Sequence, residues 1–225
     1  MSKDRLILLP GMGADARLFA LQRKAFPHLE TPDWIAPESQ ETLSAYARRW
    51  AKTITPDPPL VLGGVSFGGM VACEAARIVK PRAVILIASC RSRRSIPGTF
   101  KIAERLSRVF PDVFFERLRD RFVRLFARLE RLSPEQSASL GEQAADAKVS
   151  FLRWAARAIT TWEACEGQAD LSARVYQIHG LRDRLISIRG SNADCLIIDG
   201  GHLINVTHAA EVNAFIQSVL SRGTQ

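Results

Sequence analysis

The segment that decides the fold reads LGGVSFGG and spans residues 62–69. It follows an apolar run and places one serine, Ser66, among four glycines. Glycine weakens both strands and helices, so four of them around one hydroxyl need a geometric reason. Gly64 and Gly68 stand two residues before and after the serine, which gives the pattern G-x-S-x-G of a sharp turn from a buried strand into a helix. Such a turn would lift the Ser66 hydroxyl above the carboxyl ends of the strands, where open α/β sheets place their sites.

Short apolar runs alternate with helical patterns along most of the chain. Continuous apolar strands that alternate with helices indicate a parallel sheet covered by helices on both faces. We therefore expect an α/β fold with a mostly parallel sheet of about six strands. The predicted strands are LILL (6–9), WIAP (34–37), LVLGGV (60–65), AVILIA (83–88), VYQIHG (175–180) and CLIIDGG (195–201).

The alternation stops between about residues 97 and 167, where only helical patterns occur. Apolar residues recur there at intervals of three and four, with arginines between them. The segment SPEQ at 133–136 has the capping serine, proline and glutamine of a helix start. The sequence therefore predicts an α/β core of residues 1–95 and 166–225, interrupted by a helical cap at 96–165.

A serine hydroxyl is a poor nucleophile without a base, and the chain has four histidines. His202 follows the strand CLIIDGG on a loop at the same strand-end face as Ser66, so we predict His202 as the base. His28 lies in an N-terminal connection, His208 lies at the start of the last helix, and His179 ends a strand, where a structural role is favoured.

The carboxylate that orients the base should follow the preceding strand, where HGLRDRLI supplies Asp183. The loop after AVILIAS holds no carboxylate, which removes another location for the acid. Asp199 is closer to His202 in sequence, but it ends its own strand. The alternative for Asp183 is a surface ion pair with Arg182 or Arg184.

A tetrahedral intermediate carries an oxyanion that two backbone N–H groups usually stabilise. One should belong to Phe67, which follows the nucleophile. The other should come from the loop after the first strand, LLPGMGAD, at Met12.

These motifs resemble the α/β-hydrolase superfamily: GVSFG, HGLRD and GGHL occur in the family's order, and the resemblance extends from Leu6 to the last helix. It implies the α/β-hydrolase fold with a helical cap inserted after the strand that follows the elbow helix. It also implies a Ser66–His202–Asp183 triad that needs neither a cofactor nor a metal. Many members have His-Gly in the oxyanion loop, whereas this chain has Pro10-Gly11, so the contribution of that histidine side chain is lost.

The net charge of +8 is concentrated in residues 91–131, which carry 12 basic and 5 acidic side chains. The simpler interpretation is a solvated helix face. The other is a docking surface for an anionic partner, since the chain is similar to pimeloyl-[acyl-carrier-protein] methyl ester esterases, which receive an acidic carrier on a basic cap. An acidic acyl carrier protein or acyl-CoA is thus a candidate partner. Nucleic acid is not expected, because phenylalanine and leucine recur at core spacing and no recognition motif accompanies them.

Composition points to an ordinary globular protein of one domain, with 225 residues, 47% hydrophobic and 24% charged. The N-terminal apolar run is too short for a signal peptide, and no run approaches the length of a membrane span. The cysteines are widely spaced and should be reduced thiols, so we expect a cytoplasmic protein. They are Cys73, Cys90, Cys165 and Cys195.

The sequence thus predicts a serine esterase that acts on a small-molecule carboxylic ester. An apolar acyl pocket should be walled by cap phenylalanines. Three alternatives stay open: an acyl thioesterase, a lyase that uses the same side chains as acid and base, and a non-catalytic binding protein. The expected pocket residues are Phe110, Phe114, Phe122 and Phe126.

Overall fold

A computed structural model describes residues 4–55, 59–91, 93–162, 173–188 and 193–222. Five strands in these ranges form one sheet in the order β1-β2-β3-β4-β5, and every neighbouring pair is parallel. The carboxyl ends of all five therefore meet at one edge. The strands are β1 (Arg5–Leu9), β2 (Leu60–Val65), β3 (Ala83–Ile87), β4 (Arg174–Gly180) and β5 (Cys195–Ile197).

Side chains alternate between the two faces of the sheet along each strand, and helices bury both faces. Ile7 and Leu9 pack on one face with α2, α3 and α7, whereas Leu6 and Leu8 pack on the other with α8 and α9. This three-layer arrangement explains why the strands are continuously apolar. The helices are α1 (Ala20–Ala25), α2 (Leu43–Ala51), α3 (Phe67–Val79), α4 (Gly98–Ser107), α5 (Asp112–Leu129), α6 (Pro134–Asp146), α7 (Val149–Thr161), α8 (Ile204–Thr207) and α9 (Ala209–Ser221).

The predicted strand at 34–37 is wrong, and the described residues contribute five strands to the sheet instead of about six. The chain approaches β1 earlier, where Glu30 donates its N–H to the Leu6 carbonyl and accepts from Leu8. The next donor of such a parallel ladder would be residue 32, which is proline and has no N–H. Pairing therefore stops at one bridge, and Trp34 turns toward the aromatic side chains described below.

The described residues between β3 and β4 include helices α4 to α7, where the sequence predicts only helical structure; we call these helices the helical insertion. Helix α6 begins with the predicted capping box at Ser133 and Gln136. Helix α7 packs in the main core, but α5 does not bury its apolar stripe. Its members are 48–61% exposed, which corrects the expectation that they occupy core positions: Val113, Phe114, Leu118, Phe122, Leu125 and Leu129.

None of the described helices is long and apolar enough to cross a membrane. Cys73 and Cys195 are free thiols. Cys165 and the predicted domain boundary at 165–166 lie outside the described residues.

Candidate active site

Ser66 stands between β2 and α3 with φ 54° and ψ −121°. A positive φ is uncommon for a residue with a side chain, so the surrounding bonds must hold it there. The Ser66 N–H donates to the Ile87 carbonyl at 3.0 Å. The Ser66 carbonyl in turn accepts from the Ser89 hydroxyl at 2.6 Å. Both partners belong to β3 or the loop that follows it, so the neighbouring strand supports the strained turn.

The predicted small residues of this turn have no space for a side chain. A Cβ on Gly64 would fall within 3.0 Å of the backbone of Gly68 and Gly69. A Cβ on Gly68 would meet the backbone of Leu9 and Pro10 equally closely. The turn is therefore compressed between its own helix and the loop after β1.

Asp183 and His202 lie in direct contact, although 19 positions separate them. Asp183 Oδ2 is 2.7 Å from His202 Nδ1, and the side chains are 1% and 5% exposed. This bond assigns the proton to Nδ1 of a neutral His202 ring and leaves Nε2 as its acceptor. The loops after β4 and β5 bring the pair together at the strand-end edge, where β2 also ends at Ser66.

The Asp183 carboxylate accepts from four groups. Oδ1 accepts the N–H groups of Leu185 at 2.8 Å and Ile186 at 2.9 Å. Oδ2 accepts from His202 and also lies 3.1 Å from Nε2 of the buried His179. Burial alone would raise the pKa of the Asp183 carboxyl, but the charge of His202 and these hydrogen bonds outweigh burial and hold the pKa well below its ordinary value. Asp183 is therefore an anion.

His179 is a partner of the same carboxylate, which the sequence did not reveal beyond favouring a structural role. Its Nε2 also lies 3.1 Å from the Ile186 carbonyl, which can only accept, so Nε2 carries the proton. Asp199, the other carboxylate near His202 in sequence, instead lies 3.3 Å from His208 Nε2. In the described ranges no group of three histidine, cysteine or acidic side chains could hold a metal ion.

Opposing effects act on the pKa of His202. Burial lowers it, whereas the charge of Asp183, the hydrogen bond to Asp183 and the charge of Glu130 raise it. The balance places the pKa of His202 above its ordinary value. Its imidazolium form is thus stabilised more by carboxylates than it is destabilised by burial.

The loop after β1 lies against Ser66, since a Cβ on Gly11 would be 3.8 Å from the Ser66 Cβ. Met12 follows Gly11 directly, and Phe67 follows Ser66. Among the described residues, neither the Met12 N–H nor the Phe67 N–H donates to another part of the chain outside a helix. Met12 and Phe67 thus each follow one of two residues that lie side by side, Gly11 and Ser66.

A cavity of about 810 Å³ opens beside this loop. Phe67 is buried, and its ring centroid lies 5.4 Å from that of Trp34 and 6.2 Å from that of Phe151. Trp34 and Phe151 line the cavity together with Gly13 and with groups from α6 and α7. Aromatic side chains that pack on Phe67, the residue after Ser66, thus form part of the cavity wall, which also includes charged side chains such as Asp33, Arg108 and Arg157.

The cap phenylalanines do not form this wall, which corrects the pocket predicted from the sequence. Phe114 and Phe122 are 48% and 49% exposed, and Phe110 packs against Phe114 with the rings tilted and their centroids 4.5 Å apart. Phe126 turns inward, but its centroid is 6.1 Å from that of His202, away from the cavity lining. Helical spacing identified an apolar face of α5 without showing which structure it meets.

A sequence model described as the alpha/beta hydrolase family matches residues 6–215. The chain belongs to this family. A search of curated proteins found no match. The family match covers the strand-end loops that carry Ser66, Asp183 and His202, and it supports a hydrolase.

Solved hydrolase structures share the fold over nearly the whole chain. A thermophilic esterase from Thermogutta terrifontis has a TM-score of 0.72 at 19% identity, covering 96% of this chain and 89% of that one. The enol-lactonase from Burkholderia xenovorans LB400 has a TM-score of 0.75 at 15% identity, covering 97% and 92%. YbtT, the type II thioesterase of the yersiniabactin NRPS/PKS pathway, has a TM-score of 0.65 at 17% identity, covering 97% and 92%. At these identities the likeness establishes the α/β-hydrolase fold alone.

One residue of this hydrolase's site had no signal in the sequence. Glu130, at the end of α5, accepts the backbone N–H of His202 at 3.0 Å and that of Leu203 at 2.9 Å. It is 72 positions from His202 and belongs to the helical insertion. Only the folded chain brings this carboxylate to the loop of the predicted base.

Proposed function

We propose that the protein hydrolyses carboxylic esters through an acyl-enzyme on Ser66. The observation that carries the proposal is the buried 2.7 Å contact between Asp183 Oδ2 and His202 Nδ1, set at the same sheet edge as a serine in a strained elbow. An ionised carboxylate on Nδ1 holds the ring in the tautomer whose Nε2 accepts a proton. This arrangement is typical of a histidine that accepts the proton of a hydroxyl nucleophile.

In the first half of the reaction, the Ser66 oxygen attacks the ester carbonyl carbon and its proton passes to His202 Nε2. The carbonyl electron pair moves onto the oxygen, and the N–H groups of Met12 and Phe67 stabilise that oxyanion. When the intermediate collapses, the bond to the alkoxide breaks and His202 returns the proton to the leaving alcohol.

In the second half, water attacks the acyl carbon and gives its proton to His202. Collapse releases the carboxylic acid and restores the Ser66 hydroxyl with that proton. Asp183 stabilises the imidazolium in both halves and remains ionised. The cavity beside Trp34 and Phe151 receives the acyl chain, because these two aromatic side chains line it and also pack on Phe67, the residue after Ser66. The helical insertion acts as a cap over it.

The deciding experiment is p-nitrophenyl ester hydrolysis across acyl lengths, with Ser66→Ala as the matched variant. We expect turnover in the wild type, none above background in Ser66→Ala, and an acyl adduct on Ser66 by mass spectrometry with a slowly deacylating ester. Turnover without an adduct, retained in Ser66→Ala, would favour a lyase or another mechanism. A folded protein that binds acyl ligands without turnover would favour a binding protein.

A thioester is the second candidate substrate, and the surface of α5 favours it. Arg117, Arg121, Arg124 and Arg128 are exposed and spaced at three and four, so they share one side of the helix. The exposed apolar stripe that includes Phe114 and Phe122 lies beside them. An acidic acyl carrier or acyl-CoA would complement this charge, and the same Ser66 chemistry cleaves thioesters, with a thiol as the leaving group.

A further inference from the structure

Glu130 holds two adjacent amides of the loop that carries His202. Each carboxylate oxygen accepts one of them, Oε1 from His202 and Oε2 from Leu203. A Cβ on Gly201 would fall within 3.0 Å of this carboxylate, so a side chain there would displace the carboxylate from its present position. Charged acceptors make shorter and stronger hydrogen bonds than neutral ones, and two parallel bonds also fix orientation.

We propose that Glu130 is a positioning residue through which the helical insertion sets the orientation and basicity of His202. The inference rests on the proposed function, in which His202 is the base. Asp183 fixes the ring of His202 from one side, and Glu130 fixes the backbone from which that ring projects. The two carboxylates come from different parts of the fold, β4 and α5.

The electrostatic part of the inference follows from the groups that face His202. Asp183 approaches from the β4 loop and Glu130 from α5, while His179 contacts the same oxygen of Asp183 as His202 does. The uncharged ring of Phe126 on α5 also lies near His202, with ring centroids 6.1 Å apart. The Asp183 carboxylate contacts the ring and the Glu130 carboxylate contacts the backbone of the same residue, and both charges raise the pKa of His202.

The mechanical part follows from the position of Glu130 at the last turn of α5. Its own N–H donates to the Phe126 carbonyl at 2.9 Å, so its backbone continues the helix. A shift of this end of α5 would remove the acceptor from two amides of a buried loop. Because unpaired buried amides are costly, the loop and α5 should move together. The position of the insertion would then set the orientation of the base.

The test compares Glu130→Gln with Glu116→Gln, which removes the same charge from an exposed position of the same helix. Glutamine keeps the shape but has one acceptor oxygen, and its NH₂ group would face an amide donor. We expect kcat to fall about tenfold to a hundredfold with little change in KM, since a displaced base slows chemistry more than binding. Glu116→Gln should match the wild type.

A second readout is the imidazole titration of His202 by NMR, assigned by its loss in His202→Ala. Its pKa should be lower in Glu130→Gln than in the wild type and unchanged in Glu116→Gln. Glu130→Asp keeps the charge but is too short to reach both amides, so it should retain most of the pKa and still lose kcat. If Glu130→Gln matches Glu116→Gln in both readouts, the inference is wrong. A wild type without hydrolase activity would instead overturn the proposed function, and the titration would still decide whether Glu130 acts on His202.

Discussion

Asp183 Oδ2 lies 2.7 Å from His202 Nδ1, whereas Asp199, only three residues before His202 in sequence, pairs with His208. Of the two carboxylates that could orient the ring of His202, Asp183 is therefore the one in contact with it. Asp183→Asn removes the buried charge and allows the wrong tautomer of His202. We expect kcat for a p-nitrophenyl ester to fall about 10³- to 10⁴-fold with KM nearly unchanged.

Asp199→Asn is the matched control, because it makes the same chemical change at an exposed carboxylate. Its kcat and KM should stay close to those of the wild type. Equal losses in the two variants would mean that Asp183 has no particular role. A loss confined to Asp199→Asn would reassign the acid.

The raised pKa of His202 predicts the pH dependence of turnover. A base must be neutral to accept the proton of Ser66, and burial lowers this pKa less than the charges of Asp183 and Glu130 raise it. The acid limb of kcat/KM should therefore have its midpoint above 6.5, the ordinary value for histidine. Asp183, whose pKa is depressed, should add no limb near neutral pH. A profile recorded with p-nitrophenyl acetate at a pH-independent wavelength tests this, and a midpoint at or below 6.5 would contradict it.

The cavity predicts which acyl chains are accepted. Ser150 is an exposed residue of α7 that lines it, so Ser150→Trp should fill part of its volume of about 810 Å³. We expect KM to rise for long acyl chains and to stay nearly constant for acetyl esters. Ala138→Trp adds the same side chain to an exposed position of α6 outside the lining and should leave the chain-length profile intact. An unchanged profile in Ser150→Trp would place the acyl chain elsewhere.

Local sequence patterns predicted the strands and the elbow because their causes are local. Apolar runs such as residues 60–65 and 83–87 are buried on both faces, so each residue carries the signal. The strand predicted at 34–37 is wrong because Pro32 has no N–H to extend the pairing of Glu30 with β1. The sequence does not show that Glu30 meets β1.

Side chains that meet across the fold leave no such pattern. Glu130 reaches His202 over 72 positions. The periodicity of α5 likewise shows that its apolar residues share a face, but a period is the same whether that face meets a core or solvent. Packing decides between them, and in α5 the sheet layers are already covered by other helices.

The arginines of α5 predict how a carrier-linked substrate would be received. Arg117→Glu with Arg121→Glu reverses two exposed charges beside the apolar stripe and touches neither Ser66 nor the cavity lining. At low salt we expect kcat/KM for a carrier-linked thioester to fall about tenfold, because steering by a one-signed patch acts on the association rate. The value for the same acyl group on a free N-acetylcysteamine thioester should not change.

The control for this pair reverses two exposed charges on α1, Arg23→Glu with Lys24→Glu. These residues lie in α1, outside the helical insertion. Their substitution should leave the turnover of both substrates unchanged. Raising the salt concentration should shrink the difference between the wild type and the α5 variant, since exposed charges are screened. Equal turnover of carrier-linked thioester by all three proteins at low salt would show that α5 does not receive the carrier, and the free ester would then be the favoured substrate class.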